Sequence, residues 1–146
     1  MARAYTSTVI DAPADEVWEY LRDFNGLPKW TGGLIATSEI EDGKTGDQVG
    51  AVRSFTLPDG THFRERLLSH SDAQRAYSYN FEKTPFDVDN YHATLKVSRV
   101  TDGGRSFVEW WTTFDCDREQ IDHWQGFFAN EIFLGALNAV KEHFAS

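Results

Sequence analysis

Ala51-Val52-Arg53-Ser54-Phe55-Thr56-Leu57-Pro58-Asp59-Gly60-Thr61-His62-Phe63-Arg64-Glu65-Arg66-Leu67 reads as a β-hairpin. Pro58 presets the backbone of the first turn position and Gly60 supplies a left-handed one, which suits a three-residue loop. That loop sets the register: Leu57 faces Thr61, Phe55 faces Phe63, Arg53 faces Glu65 and Ala51 faces Leu67. Side chains alternate along a strand, so these eight residues share one side of the ribbon. The other side carries Val52, Ser54, Thr56, His62, Arg64 and Arg66, which is mostly polar. The first side is therefore expected to face the core, with Arg53 and Glu65 opposed inside it. A slip of one residue would send both charges to solvent.

Outward from the hairpin the same alternation continues. Tyr77, Tyr79 and Phe81 alternate with Ala76, Ser78 and Asn80; Tyr91, Ala93, Leu95 and Val97 form a further inner row, and Val108, Trp110, Thr112 and Phe114 another. Clusters of Gly, Pro and Asp at 41–46, 58–60, 72–74, 83–90 and 102–104 separate the strands. Before them, Arg3 to Ile10 reads as a strand. Pro13 opens a short helix with Asp15 and Glu16 in its first turn, where the macrodipole favours acids. Asn25-Gly26 stops it, and a second short helical turn runs through Leu27-Pro28-Lys29-Trp30. From Arg118 to Phe144 the chain reads as one long helix, with Asp117 and Gln120 forming a capping-box signature. The order predicts one α+β domain over residues 1–146: a curved antiparallel sheet of about seven strands around the C-terminal helix, the helix-grip arrangement.

Two apolar stripes mark that helix. Gly126, Asn130, Phe133, Leu137, Val140 and Phe144 are expected to grip the sheet. Ile121, Trp124, Phe128 and Ile132 fall on the opposite side, and are expected either to lie under the 83–90 loop or to form a homodimer contact.

Composition narrows the partners. Of the 146 residues 23 are acidic and 14 basic, a net charge of -9 that disfavours nucleic acid and anionic membrane surfaces. One cysteine, Cys116, precludes an internal disulfide. The N-terminal residues lack the apolar core of a signal peptide and no apolar run reaches membrane-span length, so a cytoplasmic protein without membrane insertion is expected. The five histidines have no metal-ligand spacing, and no Gly-rich nucleotide motif is complete, so neither metal nor cofactor is expected. Aromatic residues, at 14%, are abundant enough to line a ligand cavity.

Three segments resemble the START/Bet v 1-like (SRPBCC) superfamily, in its polyketide cyclase/dehydrase and lipid transport branch: 9–18 (VIDAPADEVW), 23–30 (DFNGLPKW) and 136–141 (ALNAVK). Segments Gly50-Ala51-Val52-Arg53, Glu65-Arg66-Leu67-Leu68, Tyr77-Ser78-Tyr79 and 89–94 (DNYHAT) are similar to plant lachrymatory factor synthase and abscisic-acid-receptor-like proteins. The resemblance implies a hydrophobic-ligand domain, with catalytic positions at Arg53 and Glu65 and pocket tyrosines at Tyr79 and Tyr91. The receptors' gate sequence is absent, the matching turn being only Leu57-Pro58-Asp59-Gly60. The expected function is binding of a small, largely apolar or amphipathic molecule between sheet and helix. The alternative is a cofactor-independent isomerase, dehydratase or cyclase, with Glu65 as general acid or base and Arg53 stabilising an oxyanion. Expected ligand contacts are Trp30, Phe55, Phe63, Tyr77, Tyr79, Phe81, Phe86, Tyr91, Trp110, Phe127 and Asn130, with Phe86 at the centre of a lid over the mouth.

Overall fold

The computed structural model describes residues 1–145. Seven strands, β1 (Ala2–Ile10), β2 (Thr37–Ile40), β3 (Val52–Thr56), β4 (His62–Ser71), β5 (Ala76–Lys83), β6 (Asp89–Arg99) and β7 (Ser106–Asp115), form one antiparallel sheet in the order β1-β7-β6-β5-β4-β3-β2. The two short helices α1 (Ala14–Leu21) and α2 (Leu27–Trp30) follow β1, and helix closes the chain. This is the helix-grip α+β fold.

Hydrophobic alternation dictates the curvature. The inner residues of β3 to β7 are buried in a row, Phe81 being half-buried, while their neighbours other than Val52 are partly or fully exposed. Two bulges bend the sheet around them. Leu68 is the extra residue on β4 between the Leu67–Tyr79 and Ser69–Ser78 pairs, and Glu82 is the extra one on β5 beside Arg64 and Glu65. Bulges of this kind increase local twist and close a sheet over its inner face.

Helix α1 buries Ala14, Val17, Trp18 and Leu21. Each of the large side chains contributes about 1.5–3 kcal/mol through burial. The helix is also tied by Asp72 in the β4–β5 turn, whose carboxylate accepts from the Trp18 indole at 2.8 Å and from Arg22 Nε and Nη2 at 2.9 and 3.0 Å. Those hydrogen bonds, Arg22 first, hold the Asp72 carboxyl down to about 2. Because the folded value is depressed, this contribution is complete above the ordinary aspartate value of about 3.9. It fades as pH falls through about 2. The exposed ion pair contributes little; the buried indole N–H does not. Asp72→Ala is expected to lower stability at neutral pH by about 1–2 kcal/mol, read by urea denaturation, with most of the difference gone at the acid end of that window.

The C-terminal helix departs from the expected geometry at both its start and its middle. Asp117 makes no side-chain cap bond; its carbonyl instead accepts from Gln120 N–H at 2.9 Å in a tight turn over Arg118–Gln120, so no capping box forms. The helix then runs as α3 (Ile121–Gly126), a π-helical segment (Phe127–Leu134) and α4 (Gly135–Ala145). Buried positions are Trp124, Phe128, Phe133, Ala136, Leu137 and Val140. The step from Phe128 to Phe133 is five residues, one more than an α-helix allows on a single face, and the π turn absorbs it. Two stripes that an unbroken α-helix would separate therefore merge on the sheet side.

Trp124 and Phe128 are buried beneath Phe86 of the β5–β6 loop, with ring centroids 5.3 and 5.8 Å away, and Ile121 and Ile132 pack half-buried against the core, so of the two expectations this stripe meets burial under the loop. Among the described residues the large hydrophobics left exposed are Met1, Tyr5 and Val49, too few and too scattered for a patch. The Thr6 hydroxyl of β1 donates to the Ala129 carbonyl inside the π segment, fastening it to the sheet edge. No helix among the described residues is long and apolar enough to cross a membrane.

Candidate functional site

The hairpin register is as the turn chemistry demands: Arg53 pairs with Glu65, Phe55 with Phe63, and Leu57 N–H donates to the Thr61 carbonyl at 2.9 Å. Both charged residues lie on the inner face, Arg53 at 1% and Glu65 at 4% exposure. On the outer face Arg64 and Arg66 find Glu41 and Glu82 instead; Val52 alone there is buried, at 5%.

The inner couple is asymmetric. Arg53 Nε donates to Glu65 Oε1 at 2.9 Å, and Nη2 lies 2.7 Å from the same oxygen. Nη1 donates to the Phe24 carbonyl at 3.0 Å. The guanidinium carbon stands 3.8 Å from the Phe24 ring centroid and 4.6 Å from that of Tyr79. Burial alone would drive a proton off Arg53, but the Glu65 charge and the Tyr77 and Tyr79 phenols reverse that, and it stays cationic. Burial raises the Glu65 carboxyl above its ordinary value, more than Arg53 lowers it. The Tyr79 and Tyr91 phenols are pushed upward, chiefly by burial, and remain neutral.

Beside the couple lies a cavity of about 300 Å³. Strands β3 and β4 line it with Arg53, Phe55, Phe63 and Glu65, and β5 and β6 with Tyr79, Phe81 and Tyr91. Trp110 of β7, Phe86 of the β5–β6 loop and Phe127 of the π segment complete the expected residues that border it. Tyr79 is held by Trp110, whose indole N–H donates to its hydroxyl at 3.1 Å.

Three expected ligand contacts do not border the cavity. Trp30 is buried against Trp110, ring centroids 5.6 Å apart, with its indole N–H unpartnered. Tyr77 sits deeper among Trp18, Phe24 and Tyr79, its hydroxyl also unpartnered. Asn130 is exposed, because the π turn carries it away from the sheet. Conversely Thr31, Leu34 and Ile35 line the cavity from an irregular stretch without periodicity, and Glu131 stands at the exposed mouth. No sequence pattern marks those four; their positions follow from where α2 and the π segment dock.

The sequence profile of the family described as polyketide cyclase / dehydrase and lipid transport matches residues 1–144. The chain belongs to this family. Among solved structures, this family member is similar to the protein XoxI of Bacillus cereus, at 32% identity and a TM-score of 0.89, covering 100% of this chain and 97% of that one. At the level of fold alone it is similar to the major latex-like protein 151 of Panax ginseng, at 16% identity and a TM-score of 0.75, covering 99% and 98% of the two chains. The same holds for norcoclaurine synthase of Thalictrum, at 15% identity and a TM-score of 0.75, covering 98% and 93%. No curated protein matches the chain. The family places the chain among polyketide cyclase, dehydrase and lipid-transport domains, and the two plant neighbours share its fold.

Proposed function

We propose that the chain binds a small, largely apolar molecule in the cavity between sheet and helix. The observation that carries this reading is a 300 Å³ space walled by aromatic rings with one charged couple beside it, at the lower end of the usual range for ligand pockets. A core built for stability alone would fill that volume, since each void forfeits packing energy. The loop between β5 and β6, residues 84–88, acts as lid: the Phe86 ring bridges Phe63 of the sheet, at 5.1 Å, and Phe127 of the helix, at 5.2 Å.

Native mass spectrometry of freshly purified protein is expected to show a bound small molecule that harsher desolvation strips away. Leu57→Trp, which narrows the space from the hairpin end, is expected to eliminate that adduct without lowering the melting temperature. An adduct retained at full occupancy in Leu57→Trp would place the binding site elsewhere.

A second reading, proton-transfer catalysis, is favoured by one observation: Glu65 is a buried carboxyl raised above its ordinary range beside an organic-sized space. Such a group is poised for general acid–base work. Conversion of the bound molecule that stops in Glu65→Gln while the molecule stays bound would establish it; turnover unchanged in that variant would remove it.

A further inference from the structure

The two members of the couple differ in what they leave for a ligand. Arg53 donates from Nε to Glu65 and from Nη1 to the Phe24 carbonyl, its Nη2 is ion-paired with the same Glu65 oxygen, and the Phe24 and Tyr79 rings lie over the guanidinium. Glu65 commits only Oε1. Its Oε2 receives no hydrogen bond from the described residues, and Glu65, with 6% of its side chain exposed, borders the cavity. Glu65 thus offers a guest an open acceptor.

We propose that the molecule held here is an apolar ring compound bearing a neutral hydroxyl, which donates to Glu65 Oε2. This rests on the cavity being the binding site. A carboxylate guest would meet the lone pairs of Oε2 and bring a second negative charge to a couple that is already neutral. An ammonium guest would leave one uncompensated charge in an apolar enclosure, because Arg53 and Glu65 already neutralise each other. A hydroxyl adds no charge and satisfies the open acceptor. Burial also makes the Glu65 carboxylate more basic than usual, and a charged acceptor in a low-dielectric site forms one of the stronger hydrogen bonds. The remaining walls, Phe55, Phe63, Phe81 and Trp110 among them, suit a flat body that stacks.

Titration calorimetry near neutral pH with 2-naphthol, 2-methoxynaphthalene and 2-naphthoate tests this, because the three share a body and differ only in the polar group. The wild type is expected to bind 2-naphthol about ten-fold or more tightly than either of the others, the worth of one charge-assisted hydrogen bond. In Arg53→Met/Glu65→Leu, which removes both charges together, 2-naphthol and 2-methoxynaphthalene are expected to bind within about two-fold of each other. Wild-type affinity for the ether or the carboxylate equal to that for the phenol overturns the hydroxyl preference and leaves the cavity reading standing. Absence of binding by all three overturns the cavity reading itself.

Discussion

Arg53→Met is expected to lower stability by about 3–5 kcal/mol, whereas Arg53→Met/Glu65→Leu recovers most of that loss. The single change strands the Glu65 carboxylate, at 4% exposure, with no counter-charge and no replacement donor. The paired change removes two desolvated ions at once and substitutes apolar side chains that suit the Phe24, Phe55 and Tyr79 rings around them. Urea denaturation of the wild type, both singles and the double closes the cycle.

The single variant also carries a pH signature. Burial already raises Glu65 in the native protein against the pull of Arg53, and without Arg53 it rises further. A carboxyl whose folded value exceeds its unfolded one, about 4.3, holds its proton more tightly when folded. Stability of Arg53→Met therefore declines as pH climbs from that value through the raised one, and the double variant lacks this slope. A double variant as unstable as Arg53→Met would mean that the couple is a net stabiliser.

Deletion of Asn130 is expected to leave the protein folded, with a melting temperature within a few degrees of wild type, while weakening cavity binding by about ten-fold or more. Removing one exposed residue from the π segment turns the five-residue step between Phe128 and Phe133 into a four-residue step, the α-helical repeat. Trp124, Phe128, Phe133, Leu137 and Val140 can then all face the sheet from a regular helix. Phe127 and the Glu131–Ile132 pair, which border the cavity from either side of the deletion, are then drawn together along the axis by about 1.5 Å, the rise of one helical residue. Circular dichroism and thermal melting report the first part, and titration with 2-naphthol the second. A deletion variant that fails to fold would assign the π segment a structural role, through its bond to Thr6; one that binds unchanged would remove it from the site.

Much of the fold was legible because strand patterning and turn chemistry act over a few residues. The Pro58-Asp59-Gly60 loop pins the β3–β4 register, and that register alone carries Arg53 and Glu65 to the inner face. Tyr79, Phe81, Tyr91 and Trp110 follow from simple alternation on strands whose outer residues are mostly polar, Phe107 and Trp111 of β7 apart. Tyr77 and Trp30 show the limit of that logic. Tyr77 points inward as patterned and Trp30 of α2 is buried as well, but an inward residue fills either solid core or cavity wall, and which it does depends on what docks opposite. Phe24 and α1 close over Tyr77, and Trp110 covers Trp30. The stretch holding Thr31, Leu34 and Ile35 has no repeat to read.

From the order of amino acids alone come the strand alternation, the turn geometry and the charged couple on the concave face, since each depends on neighbours a few positions away. The phase of the C-terminal helix does not. Helical periodicity presumes a constant turn, and here the sheet imposes a wider one, fastening the Ala129 carbonyl to Thr6 and drawing Phe128 and Phe133 onto one side. That packing converted an apparent outer stripe into core, turned Asn130 to solvent and set Glu131 at the mouth. Burying two more large aromatic faces outweighs the small strain of one widened helical turn, and only the assembled sheet makes that burial available.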